Sequence, residues 1–151
     1  MKKIAAVLLV FVLCLSFAGC GAESKEIDLA ALRDKMISEV PIQDAMNLKT
    51  ERLESLYGIE EKDVKQQACF ITMGGTFPDE VLMIEAPDSD AAKRVEEKLQ
   101  SRLSQVMTQS KNYDAENYAL LQKCAVKKSG NYVTLFISAK YAELQALFDA
   151  A

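Results

Sequence analysis

The chain has 151 residues, no His, no Trp, four Cys, and 18 basic against 22 acidic side chains. That length predicts one ordinary domain, and the lack of His excludes, within this chain, a Ser-His-Asp triad, a Cys-His dyad and any His-ligated zinc or haem. A net charge of −4 provides no basic stripe of the kind that nucleic acid requires.

Lys2 and Lys3 precede an unbroken apolar run from Ile4 to Leu15, shorter than the roughly 20 apolar residues of a spanning helix. A basic start, a short apolar stretch and then small residues describe a secretory signal peptide over residues 1–19, with an uncleaved membrane anchor as the alternative. Phe17-Ala18-Gly19-Cys20 resembles the lipobox of bacterial lipoproteins, in which a large apolar residue and two small ones precede the Cys that is lipidated. The chemistry needs a thiol, because the diacylglyceryl group is carried as a thioether. Lipoboxes usually have Leu where this chain has Phe17. Ser16-Phe17-Ala18 also offers an ordinary signal peptidase a small-x-small site after Ala18, which would release a soluble secreted protein.

The polar stretch Gly21 to Glu26 directly after Gly19-Cys20 favours lipidation of Cys20, with residues 20–27 as a short tether. Losing Lys2 and Lys3 makes the mature chain more acidic still, so acyl chains rather than electrostatics must hold it to the membrane. The expected location is the extracytoplasmic face of the cell membrane.

From residue 28 to 151 the pattern is that of a single α+β domain. Asp28 is placed to cap a helix carrying Leu29, Leu32, Met36 and Val40 at helical spacing, stopped by Pro41. A second helix is predicted from about Leu48 to Tyr57, with Leu53 and Leu56 inward and Gly58 as its left-handed cap. Two strands follow, Ala68 to Met73 and Val81 to Ala86, joined by a loop from Gly74 to Asp79. Asp88 caps the longest helix, through about Ser110, whose buried stripe is Val95, Leu99, Leu103, Val106 and Met107. A short helix around Asp114 to Gln122 leads into a second hairpin, Cys124 to Lys128 and Tyr132 to Ser138, turned at Gly130-Asn131. Ser138 is placed to cap a final helix with Leu144, Leu147 and Phe148. Two hairpins, each followed by a helix, predict a two-layer, mostly antiparallel sheet with the long helices on one face and the N-terminal helices available to cover the other.

Leu56-Tyr57-Gly58 before the first strand, Asp79-Glu80 opening the second, and Gly130-Asn131-Tyr132-Val133 at the second hairpin form a set by their order and spacing. In that respect the chain resembles small lipoproteins of Clostridia-type Gram-positive bacteria, the domain-of-unknown-function family 4358, over about residues 28 to 150. The resemblance implies a lipid-anchored location and this architecture. It implies no activity.

Each candidate for chemistry has a plain alternative. Asp79-Glu80 is an acid pair, but neighbours on a strand point to opposite faces and do not converge on one ion. Asp88-Ser89-Asp90 lacks the later Gly and terminal Glu of a calcium loop and reads as a helix cap. Gly74-Gly75 leads into a strand rather than a helix N-terminus, so phosphate-loop geometry fails. Cys69 and Cys124 suit small buried side chains, with a bridge closing a large loop as the alternative. No catalytic, metal or cofactor site is therefore expected.

Strand parity assigns Leu82, Ile84, Val133, Leu135 and Ile137 to the core beneath the long helices. The opposite face carries Phe70, Met83, Tyr132 and Phe136, too apolar to be fully wetted. The leading helices from Asp28 to Tyr57 are expected to cover it, with a face left open for a partner as the alternative, and Tyr132 and Phe136 are expected to border the surface a partner uses. The function expected is a non-catalytic interaction or accessory module, with a protein partner and no nucleic acid. A small-ligand-binding lipoprotein serving a transporter is the alternative, and no constellation supports a His-free hydrolase.

Overall fold

The computed structural model describes residues 26–74 and 78–151. The expected signal peptide, Cys20, most of the expected tether and loop residues 75–77 lie outside the described residues.

Short-range chemistry places most of the elements. Helix α1 (Leu29–Glu39) starts where the Asp28 carboxylate accepts the Ala31 N–H at 3.0 Å, satisfying one of the four donors that every helix start leaves free. It closes at Val40, whose N–H donates to the Met36 carbonyl. Strand β1 (Ala45–Asn47) follows, then α2 (Thr50–Tyr57), ended by Gly58 at φ 69°, a conformation that costs a side-chain-free residue little. A 3-10 turn at Glu61–Asp63 leads to β2 (Gln66–Gln67), β3 (Phe70–Thr72) and β4 (Glu80–Glu85). Helix α3 (Ser89–Tyr113) is capped by Asp88 and α4 (Ala115–Leu121) by Asp114, each carboxylate accepting a backbone N–H three residues on. Strands β5 (Val126–Ser129) and β6 (Tyr132–Ile137) turn at Gly130, φ 57°, before α5 (Tyr141–Asp149).

Among the described residues the sheet has the order β1-β3-β4-β6-β5, with β2 also on β4, and every pairing is antiparallel. The strand expected from Ala68 begins two residues earlier and is interrupted. Gln67 faces Ile84 and Phe70 faces Val81, so one register runs through the gap. At the gap the backbone of Cys69 looks elsewhere: its carbonyl accepts the Leu48 N–H at 2.8 Å and its N–H donates to the Gln67 side chain at 2.8 Å.

The alternation along β4 and β6 divides the core as strand parity requires. Leu82, Ile84, Val133, Leu135 and Ile137 pack with Leu53 and Tyr57 of α2 and with Val95, Leu99 and Val106 of α3. On the other face Phe70, Val81, Met83, Tyr132 and Phe136 pack with Leu29, Leu32 and Met36 of α1 and with Leu144 and Phe148 of α5. Both faces are covered, and every residue of β4 and β6 is buried, the condition under which strands read as continuous apolar runs.

Three expectations change here. The long helices do not share a face: α5 crosses to the side of α1, making a third layer. Its Phe148 ring meets Tyr132 and Phe136 edge-on, each with centroids 6.4 Å apart, while α2, α3 and α4 occupy the other side. In α2 the inward pair is Leu53 and Tyr57, spaced by four, and Leu56 is 40% exposed. Ser138 serves the turn before α5 rather than the helix itself, its hydroxyl accepting the Lys140 N–H at 3.0 Å.

One buried group lacks a partner among the described residues, the Thr134 hydroxyl on the α1–α5 side of β6. Burying a hydroxyl without a hydrogen bond costs about 1–3 kcal/mol, and Val has nearly the same shape. Thr134→Val is therefore expected to raise the unfolding free energy by about 1 kcal/mol in urea titration; a loss of stability would mean that the hydroxyl is in fact bonded.

Candidate functional site

The carboxylates that might carry chemistry are dispersed by strand parity and then neutralised. Glu80 and Glu85 stand at the two ends of β4, on opposite faces and both buried. Glu80 faces α3, where Arg102 pairs with both of its oxygens, the Nε at 3.1 Å. The same guanidinium lies 5.7 Å from the centroid of the Tyr57 ring, a cation–π contact. Burial, reinforced by the charge of Glu80, pushes the Tyr57 phenol well above its ordinary range. Glu85 faces the other way, accepting from Lys65 at 2.8 Å and Gln66 at 2.5 Å. Burial would raise its carboxyl, but those hydrogen bonds outweigh burial and hold it below the usual range.

Asp63, ahead of β2, accepts three hydrogen bonds from the Nε and Nη2 of Arg94 of α3, the shortest 2.6 Å. Arg94 holds that carboxyl low against the opposing effect of burial. Burial raises the Asp79 carboxyl against a hydrogen bond from Ser138. The ion pairs of Glu80, Glu85 and Asp63 each tie a strand end or turn to α3 or to the loop ahead of β2.

Cys69 and Cys124, the two thiols among the described residues, are free. Cys69 is fully enclosed in the α2–α3 core, donates to the Met83 carbonyl at 3.6 Å, and is pushed by burial up to about 12. Cys124 is raised as well, by burial first, with the backbone of Ser138 opposing and Asp79 adding. A thiol held protonated at neutral pH is a poor nucleophile and a poor metal ligand. The bridge between Cys69 and Cys124, the alternative read from sequence, is not formed.

The open features lie around α4. Helix α3, with 25 residues, is about 37 Å long, whereas a six-residue strand such as β4 spans about 20 Å. Arg102 already reaches Glu80 at the start of β4, so residues 103–113 continue past that strand end before α4 folds back. Between α3, α4 and β5 lies a groove of about 510 Å³, floored by Leu103, Met107, Cys124 and Val126 and rimmed by Gln100, Thr108, Lys111 and Tyr118. A second groove of about 570 Å³ follows the other flank of α4, with Asp114, Glu116, Asn117, Lys123 and Tyr141. At the α3–α4 corner Tyr113 is 92% exposed.

The four residues expected to mark an interaction surface are brought together, but inside. Phe70 and Met83 are wholly buried, and Tyr132 and Phe136 are 5% and 3% exposed beneath α1 and α5. The cover expected from the leading helices is supplied by α1 together with α5, so Tyr132 and Phe136 are core residues whose joint replacement by Ser would undermine the fold. An opening remains beside Tyr132, a groove of about 320 Å³ with Ile27, Ser129, Phe148 and Ala151. The grooves around α4 were not legible in the sequence. Leu103 and Met107 carry the signal of an ordinary buried stripe, yet in the structure they are only half covered.

A family model described as Domain of unknown function (DUF4358) matches residues 38–138. No curated protein and no solved structure matches the chain.

Proposed function

Since the chain belongs to the DUF4358 family, whose role is not assigned, we propose that it is a lipid-anchored, non-catalytic interaction module at the outer face of the cytoplasmic membrane of a Gram-positive bacterium. The observation that carries this reading is the run from Lys2-Lys3 through Ile4–Leu15 to Phe17-Ala18-Gly19-Cys20, which describes a signal peptide ending at a thiol. With a net charge of −4 the chain has no general attraction to anionic lipid, and two or more acyl chains anchor firmly where one does so only marginally. Glu80, Glu85 and Asp63 are occupied in ion pairs and Cys69 is enclosed, which supports a binding role over a catalytic one. A second reading, a lipoprotein that binds a small ligand for a transporter, draws support from the groove of about 510 Å³ beside α4, whose size suits a small molecule.

The test is chemical. The native protein is expected to partition into the detergent phase and to give a mature N-terminus at an acylated Cys20. Cys20→Ser is expected to stay in the aqueous phase or to remain an uncut precursor. A mature N-terminus at Gly19 carrying no lipid would overturn the anchoring.

A further inference from the structure

The first described residues are clamped at one end of the domain. The Ile27 N–H donates to the Tyr132 hydroxyl at 2.9 Å, and the Ile27 carbonyl accepts from the Gln66 side chain at 2.8 Å. Gln66 also accepts the Leu29 N–H at 3.3 Å. Two strands therefore grip the chain just before α1, at the end of the sheet where β6 begins. That end also holds the β5–β6 turn, and there the Ala86 N–H donates to the Asn131 carbonyl at 2.9 Å. Helix α3 starts at this end, three residues after Ala86, and runs away from it.

Resting on the anchoring at Cys20, we infer that the domain stands on the bilayer by this clamped end, with the Ser129–Asn131 turn toward the lipid and the α3–α4 corner pointing away. The argument is one of reach. Ile27 lies seven positions after Cys20, and even a fully extended chain spans at most about 25 Å over that separation. Helix α3 is about 37 Å long. An inverted domain, with Tyr113 on the membrane, would lift Ile27 farther from the lipid than the tether can follow.

Charge gives no competing pull at the α3–α4 corner, where Lys111 and Lys123 are matched in number by Asp114 and Glu116. The lysines of the clamped end and of β5 each have a carboxylate partner, Lys62 with Glu60, Lys65 with Glu85, Lys127 with Asp149 and Lys128 with Glu96. The excess of acidic residues disfavours laying a flank on an anionic surface. The occupant of this face is the lipid headgroup layer, and the grooves on both sides of α4 are left facing outward.

The experiment uses the lipidated full chain in vesicles of phosphatidylethanolamine and phosphatidylglycerol containing nitroxide-headgroup lipid. A fluorophore is placed on Ser129→Cys or on Tyr113→Cys, in a Cys124→Ser background. Cys20 is blocked by its lipid and Cys69 is enclosed, so the introduced thiol takes the label. Quenching several-fold stronger at position 129 than at position 113 is expected, and a long Gly/Ser insertion after Ser24 should erase the difference. Equal or reversed quenching on vesicle-bound protein would overturn the orientation and leave the anchoring intact, and a difference that survives the insertion would overturn the tether as its cause. Protein that never leaves the aqueous phase would bring down the anchoring reading, and the orientation with it.

Discussion

Leu99→Ala is expected to lower the unfolding free energy by about 2–5 kcal/mol, toward the upper part of that range. Leu99 is fully buried and lies in the cluster formed by Val95 and Val106 of α3 with Leu82, Ile84 and Leu135 of the sheet. Truncation removes the transfer free energy of the lost carbons and leaves a cavity, and the cost depends on how far the surroundings can close in. Here they are held apart. Arg94 fastens α3 to Asp63 on one side of Leu99, and Arg102 fastens it to Glu80 on the other, so the helix cannot settle into the gap. Equilibrium urea unfolding reads the loss directly. A change below about 0.5 kcal/mol, the size of an ordinary surface substitution, would show that this stripe does not face the sheet.

Arg102→Met should cost about 3–5 kcal/mol, the range for removing one partner of a buried ion pair, with the lower end favoured because the Arg102 side chain is 27% exposed. The loss comes chiefly from what remains. Glu80 is buried against α3, and without the guanidinium its carboxylate keeps the desolvation and loses the compensation. The cation–π contact with Tyr57 goes as well. Adding Glu80→Gln to Arg102→Met removes the stranded charge, so the double variant should regain much of what the single one loses. A double-mutant cycle in urea gives the comparison. Additive losses, with no recovery in the double variant, would mean that the pair does not interact across the α3–β4 contact.

The caps, the strand faces and the grooves were legible to different degrees, and the difference follows the range of the interactions involved. Asp28 and Asp88 reach backbone donors three residues away, and Gly58 and Gly130 adopt positive φ; these are local events, so the residue type announces them. Strand parity is local too. It separated Leu82, Ile84, Val133, Leu135 and Ile137 from Phe70, Met83, Tyr132 and Phe136, and those two sets are the two halves of the core.

What periodicity left open was decided by tertiary packing. Nothing in β1 announces a strand: three residues, entered through Asp44 at φ 54°, pair with β3 only because Thr72, Ile71 and Phe70 present a free edge. Leu53 needs a neighbour on its own face, and Tyr57 supplies it because Glu80 and Arg102 give its ring a charged neighbour to rest against, while Leu56 is left toward water. Parity turned Glu80 toward a helix, but a partner 22 residues away has no signature in the spacing. The sequence by itself determined the caps, the turns and the two faces of the central strands, because each depends on residues a few positions apart. Which face α5 covers, which cation meets each buried carboxylate, and that α3 outruns the sheet and opens grooves beside α4 were decided only in three dimensions, where surfaces distant in the chain compete for the same area.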